Sequence, residues 1–236
     1  MNSKKTYFNW STGKDSALAL HYLLQDKNYS VNYLLTSVNA FHKRVSMHGL
    51  RTELLQKQVN AIGIPSGVIE LPEHPTNEEY KELMREKVQQ LKTDGFEYAA
   101  FGDIFLEDLK EYREQQLQQL NIKALFPLWK KDTKQLIHEF IDLGFKTIVV
   151  CVNADLLDKS FAGRIIDNDF MNDLPEGVDP CGENGEFHTF CFDGPIFKYP
   201  VRFSVGETVF REYQHGQLKS GFWFCDLLPE EKNMES

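Results

Sequence analysis

Apolar and polar positions along this chain follow two rhythms, and the rhythm changes once. Through the first two-thirds, short apolar runs of strand length alternate with segments whose apolar residues recur every three or four positions. Residues 7–10, 31–38, 67–71, 98–104 and 122–126 predict five strands. Residues 15–25 predict a helix with Ala17, Leu20 and Leu24 on one face. A second helix over 50–62 is ended by Gly63 and Pro65. A third opens at Thr76, with Glu79 in capping-box spacing, and stops at Gly95. A polar fourth helix over 107–120 carries a thin stripe of Leu109, Tyr112 and Leu120. A fifth runs from Asp132 to Leu143 with Gly144 just past its end. Residues 146–152 are apolar and β-branched, the pattern of a buried parallel strand.

Strict strand–helix alternation builds βαβ units on a parallel sheet. The fold class expected is therefore α/β, a doubly wound, Rossmann-like parallel sheet that binds its ligand at the carboxyl ends of the strands. After about residue 155 the rhythm breaks. Residues 155–173 read as irregular or helical. Residues 186–192 alternate, and 203–213 and 218–227 read as strands with a turn at His215-Gly216. The expected division is 1–153 for the parallel domain and 154–236 for a smaller mixed α/β region, with a polar, frayed end over 230–236.

Charge and cysteine content narrow the function classes. A formal net charge of -9 disfavours a general nucleic-acid binder, because an acidic surface repels phosphate backbones. Cys151, Cys181, Cys191 and Cys225 form no C-x-x-C pair, so reduced, buried thiols are expected rather than a zinc or redox site. Asn9, Ser11 and Lys14 interrupt the first apolar stretch, which is no signal peptide, and no apolar run is long enough for a bilayer. A cytoplasmic location is the expectation, with no membrane partner.

The sharpest chemical feature is Ser11-Thr12-Gly13-Lys14-Asp15-Ser16, between the first strand and the first helix. A helix start offers free N–H groups and the positive end of a dipole, which together bind phosphate. Gly13 admits a close anion, Ser11 and Ser16 offer hydroxyls, and Lys14 adds a point charge. It is not a Walker loop: Phe8 stands where that motif needs its first glycine, and Asp15 rather than Ser or Thr follows Lys14.

The run resembles the PP-loop, S-G-G-x-D-S, of the N-type ATP pyrophosphatases, with Thr12 in place of the first glycine. Further motifs follow in order: Gly102-Asp103-Ile104, Pro127-Leu128-Trp129, Phe161-Ala162-Gly163-Arg164, the stretch from Gly182 to Phe190, and Asp193-Gly194-Pro195. This series, over roughly residues 5 to 200, resembles the diphthine–ammonia ligase family. The resemblance implies an adenine nucleotide alpha-hydrolase-like fold for the first domain and an acceptor-binding role for the second. It implies the reaction of diphthine, a modified histidine of elongation factor 2, with ammonia and ATP to give diphthamide, AMP and pyrophosphate. Mg2+ is expected with ATP, free ammonia is the simpler nitrogen source, and a homodimer is left open.

On this reading the carboxylate of the acceptor is adenylated, because AMP leaves where hydroxide does not. Residues Ser11 to Ser16 take the phosphates, with Lys14 stabilising the departing pyrophosphate. Asp103, at the end of the fourth strand, is set to orient the metal or the acceptor, or else to cap the helix near Glu107; Gly102 joins the nucleotide site. The adenine is expected near Val38, read through backbone groups, with His48 close by. Glu183, Glu186 and His188 form a polar cluster that can attract ammonium and take its proton. Arg164 can hold a phosphate or an acceptor carboxylate, or else a surface ion pair. Two rivals share the fold: a tRNA-thiolating pyrophosphatase, which would need a cysteine persulfide and a basic surface, and a nucleotide-binding module without catalysis.

Overall fold

Tyr7 and Phe8 are adjacent, so their side chains leave the strand on opposite faces, and both are buried. The sheet that carries them is covered on both sides. A computed structural model of the protein describes residues 3–46, 48–215 and 218–230. The central strand β1 (Lys4–Asn9) lies between β2 (Tyr29–Asn39) and β5 (Tyr98–Ala100). The edge strands β4 (Ser66–Leu71) and β6 (Lys123–Leu125) complete a parallel order β4-β2-β1-β5-β6, and the two-residue β3 (Arg44–Val45) adds antiparallel to the end of β2.

Five helices wind around this sheet. Leu18, Leu20 and Leu23 of α1 (Lys14–Gln25), Leu54 and Val59 of α2 (Thr52–Ile62) and Phe140 of α5 (Thr133–Asp142) share a core with Phe8. Val88 and Leu91 of α3 (Asn77–Thr93) and Leu117 of α4 (Glu107–Gln118) pack with Tyr7 on the other face. The sheet is doubly wound, as its alternation predicts. Local signals hold too. Thr76 and Glu79 make both bonds of a capping box, Asp132 accepts from the amide of Gln135, and Gly63 ends α2 at φ 80°.

A second sheet has the order β8-β7-β10-β9, with β7 (Lys146–Asn153), β8 (Phe187–Asp193), β9 (Phe203–His215) and β10 (Leu218–Pro229). Residues 154–186 cross between β7 and β8 through a short 3-10 turn and the one-turn helix α6 (Asn168–Asp173). The expectation of a parallel strand at 146–152 is corrected here: β7 runs antiparallel to both β8 and β10. A strand sandwiched in a shared core is apolar throughout whatever the direction of its neighbours. β7 thus lies before a 153/154 division while its sheet partners lie after it. Gly216 of the expected turn and residues 231–236 of the polar end lie outside the described residues.

The two sheets share one core. Val149 and Val152 of β7 and Phe190 of β8 pack in the same apolar cluster as α1, α2 and α5. Asp226 of β10 clamps across the junction, bonded by Arg51 through Nε and Nη2 and by Arg44 through Nη1. Phe190 is fully buried and meets Phe203 edge-on at 5.7 Å between ring centroids. Phe190→Ala is expected to cost about 3–5 kcal/mol, read from the urea midpoint; an unchanged midpoint would show that the two layers do not depend on this ring.

Candidate functional site

The segment 11–16 sits at the carboxyl end of β1 and opens α1, where the sequence placed it. Its shape rests on Thr12, whose φ of 77° puts a non-glycine residue in the left-handed region. That conformation is held from behind. The Thr12 carbonyl accepts from the amide of Cys191 at 2.9 Å and from Gln58 Nε2 at 2.9 Å. The same Gln58 nitrogen donates to the Cys191 carbonyl at 2.6 Å, and Gln58 Oε1 accepts from Trp10 Nε1 at 2.8 Å. Gln58 is 0% exposed, so one buried carboxamide ties α2 to the end of β1, to the loop and to β8.

The front of the loop is closely approached. A Cβ on Gly13 would lie 2.9 Å from His48 Cε1 and 3.2 Å from Thr189 Oγ1, so only glycine fits. A Cβ on Gly102 would lie 2.9 Å from the amide nitrogen of Ser16, which seats the loop after β5 against the start of α1. Thr189 Oγ1 accepts from the Lys14 amide at 3.0 Å, a side-chain cap supplied from β8. Ser11 and Ser16 share a hydroxyl hydrogen bond of 2.6 Å. Thr12 Oγ1 is buried without a hydrogen-bond partner and offers a hydroxyl to an anion at this helix start.

Lys14 is 3% exposed, and its ammonium donates to both carboxylate oxygens of Asp15 and to the Cys181 carbonyl. Burial works against its charge, but Asp15 and Glu183 outweigh burial and hold the proton on. The side chain thus turns toward the segment before β8. Asp103 Oδ2 stands 3.0 Å from Arg113 Nη1, an ion pair outside hydrogen-bond geometry. Burial raises its pKa, with the Asp15 carboxylate adding to the rise against the guanidinium. Glu183 accepts from the Ile104 amide at 3.2 Å, and burial, followed by the charge of Asp15, lifts its carboxyl to about 8. Lys14, Asp15, Asp103 and Glu183 form one electrostatic unit at the strand ends.

The remaining expected residues divide. The His48 and His188 rings lie 4.9 Å apart, tilted by 31°, with His48 beside Gly13, and His48 Nδ1 lies 3.1 Å from the Thr189 carbonyl. Burial drives both rings down, to about 3 and about 4, so both are neutral near pH 7. Glu186 does not reach the loop with a free oxygen: its carboxylate accepts from the amides of Asp179 and Asn184 and from Asn184 Nδ2, which fixes the 179–186 turn. Arg164 pairs with Asp173 at 2.8 Å and lies over the rings of Phe161 and Phe170. Val38 is paired by β3 on one side and β4 on the other, so the backbone expected to read adenine there is already in ladder contacts.

Gln58, Thr189 and Arg113 are the site residues that sequence reasoning missed. A glutamine inside an apolar helix face was the one available signal. Cys151, Cys181, Cys191 and Cys225 are buried and not joined to one another. Cys181, nearest Lys14, puts its sulfur 3.4 Å from the Thr133 carbonyl, and burial pushes its thiol up, so it is a poor nucleophile. Among the described residues no group of three His, Cys, Asp or Glu side chains is placed to hold a metal by itself, and no helix is long and apolar enough to cross a membrane.

Two family models match the chain: the diphthamide synthase N-terminal domain over residues 4–124 and the diphthamide synthase C-terminal domain over 132–220. A diphthine–ammonia ligase from Danio rerio is 30% identical over 138 residues, which cover 56% of this chain and 52% of the relative. The Homo sapiens diphthine–ammonia ligase is 28% identical over 161 residues, covering 66% and 59%. The chain thus spans about half the length of the curated relatives it matches. A solved U34-tRNA thiolase from Methanococcus maripaludis is 16% identical, with 61% of this chain and 59% of that chain covered and a TM-score of 0.38, a likeness too loose to carry an argument.

Gln58→Leu leaves Trp10 Nε1 and the Thr12 carbonyl short of a buried partner. It is expected to cost about 1–3 kcal/mol in chemical unfolding and to weaken ATP binding in a calorimetric titration. Wild-type affinity in the folded variant would show that Gln58 does not shape the loop.

Proposed function

The chain belongs to the diphthamide synthase family, and on that premise we propose that it is an ATP-dependent amide-forming ligase that adenylates an acceptor carboxylate and then passes it to ammonia. The observation that carries the proposal is the meeting, at one helix start, of a phosphate-binding loop with a buried lysine and a carboxyl held near neutrality.

The phosphates of ATP would sit against the first-turn amides of α1, which have no carbonyl one turn earlier in the helix to bond. Thr12 Oγ1 has no hydrogen-bond partner, and the Ser11 and Ser16 hydroxyls, bonded to each other, lie in the same loop. An arriving phosphate would replace oxygen partners of Lys14, whose charge then offsets the negative charge on the departing pyrophosphate. Magnesium would be held with the phosphates by Asp103, whose Oδ2 is ion-paired with Arg113 but accepts no hydrogen bond, and would supply further charge neutralisation there. The acceptor carboxylate oxygen bonds to the α-phosphorus as the bond to pyrophosphate breaks. Ammonia then bonds to the carboxyl carbon, and AMP leaves with the acceptor oxygen.

Ammonium must lose a proton before it attacks. We assign this step to Glu183, since Glu186 already accepts from three N–H donors and the two histidines are poor proton acceptors at their lowered pKa. A carboxyl near 8 binds a proton far more readily than an ordinary glutamate, so its ionised form is a stronger base. The acceptor proposed is diphthine on elongation factor 2, as the relatives' names have it.

Purified protein given radiolabelled ATP, ammonium and diphthine-bearing elongation factor 2 should release AMP and pyrophosphate in step with amide formation. ADP as the product would exclude the mechanism. Lys14→Ala is expected to lower turnover by roughly 100-fold or more. At constant ammonium, turnover should rise with pH through about 8, because the base must be ionised to accept. That limb should vanish in Glu183→Gln. A limb that survives the substitution would take the proton-accepting role away from Glu183.

A further inference from the structure

Asp179 engages both of its carboxylate oxygens inside the fold. Oδ1 accepts from the amides of Cys181 at 2.9 Å and of Glu183 at 3.3 Å. A bond from an aspartate to the amide two residues on is an ordinary local turn. The second oxygen is not local: Oδ2 accepts from the hydroxyl of Thr133, at the start of α5, at 2.8 Å. That hydroxyl is not needed by its own helix, because Asp132 caps α5 through the amide of Gln135. The Thr133 carbonyl also accepts from the Cys181 thiol at 3.4 Å. One carboxylate therefore pins the turn before β8 to a helix that packs on the first sheet.

The pinned turn carries the two residues that meet the site. Cys181 gives its amide to Asp179 and turns its carbonyl to the Lys14 ammonium. Glu183 gives its amide to Asp179 and turns its carboxylate to the amide of Ile104, next to Asp103. Between them Gly182 bends the chain at φ 70°, where a Cβ would lie 2.9 Å from the Phe187 carbonyl oxygen. Glycine leaves such a bend conformationally free, and the bonds to Asp179 on either side of it remove that freedom. Glu186 secures the outside of the turn through the amides of Asp179 and Asn184. Among the described residues the Asp179 carboxylate bonds neither Lys14 nor the phosphate loop, so its action on the site passes through the backbone.

We propose that Asp179 is a positioning residue for the amide-forming step, fixing through the 181–183 bend where Glu183 meets ammonium, with Thr133 as its anchor. This role rests on the ligase reading and on Glu183 as its proton acceptor. It separates the two half-reactions. Adenylation needs Lys14, which keeps both oxygens of Asp15 when the turn loosens. Deprotonation of ammonium needs Glu183, and a displacement of about 1 Å in a reacting group can cost on the order of 100-fold in rate.

With diphthine-bearing elongation factor 2 as acceptor, ATP–pyrophosphate exchange without ammonium reads adenylation alone. Amide formation with ammonium reads both steps. Asp179→Ala is expected to lower amide formation by about tenfold or more, while pyrophosphate exchange stays within about twofold of wild type. Asp179→Asn keeps an oxygen for the two amides and an NH2 for the Thr133 hydroxyl, and should restore amide formation to within about threefold. Thr133→Val leaves the Asp132 cap in place and should lower amide formation by about threefold, which carries the test if the alanine variant does not fold. Hydrogen–deuterium exchange adds a readout free of catalysis: the amides of 181–185 should lose protection in Asp179→Ala and those of 11–16 should keep it. A wild type that releases no AMP removes the ligase reading, and this role with it. Given an active wild type, the role is overturned by equal losses in both half-reactions, by no recovery in Asp179→Asn, by an unaffected Thr133→Val or by unchanged protection over 181–185.

Discussion

The candidate site depends on one buried carboxamide. Thr12 holds a backbone conformation that a β-branched residue avoids, and nothing within the loop compensates for it. The support comes from Gln58 and Cys191, on α2 and β8, which together satisfy the Thr12 carbonyl. The donors and acceptor of Gln58 that are bonded here lie where water cannot replace them, so the arrangement is all-or-none. A loop shaped in this way is pre-organised: its amides face the ligand before the ligand arrives, and little ordering remains to be done on binding.

The same joint makes the second sheet a working part of the site. Thr189 caps α1 from β8, Cys181 gives its carbonyl to Lys14, and Glu183 accepts from the amide after Asp103. Four ionisable groups from both halves of the chain are thereby brought into a shared, poorly solvated space. Lys14, with Arg113 beside Asp103, against three carboxyls still leaves an excess of negative charge, and the excess is resolved by proton uptake. Glu183 is the carboxyl that bears it most clearly, through burial and the neighbouring Asp15. A phosphate could not sit comfortably among three ionised carboxylates, so a carboxyl that is protonated below about pH 8 and a metal beside Asp103 both serve the same electrostatic need in the proposed reaction.

Much of the fold was legible because local signals and packing agree. The strand and helix alternation, the Thr76–Glu79 box and Gly63 each state their own conformation within a few residues. The loop was legible by position, since a glycine and lysine between the first strand and first helix have few structural uses. What failed was information carried by distant partners. The direction of β7 is set by β8 and β10, while its own sequence reports only burial. Glu186 and Glu183 stand three positions apart in one polar stretch, yet one is consumed by backbone amides and the other is left titratable. Arg164 resembles a ligand-binding residue in sequence, and its aromatic neighbours, Phe161 and Phe170, belong to a packing layer.

The second sheet thus has two unlike edges, and the difference follows from what each one meets. β8 is short and covered, and side chains along it cap the loop and stack on His48. β9 is long, bonded on one side, and extends with β10 well past the three residues of β10 that pair with β7. A hairpin that only needed to bury Phe190 and its neighbours could end near Phe222, where the pairing with β7 ends. The extra length carries Tyr213 into water, where its ring keeps edge contacts with Phe222 and Phe224 of the neighbouring strand.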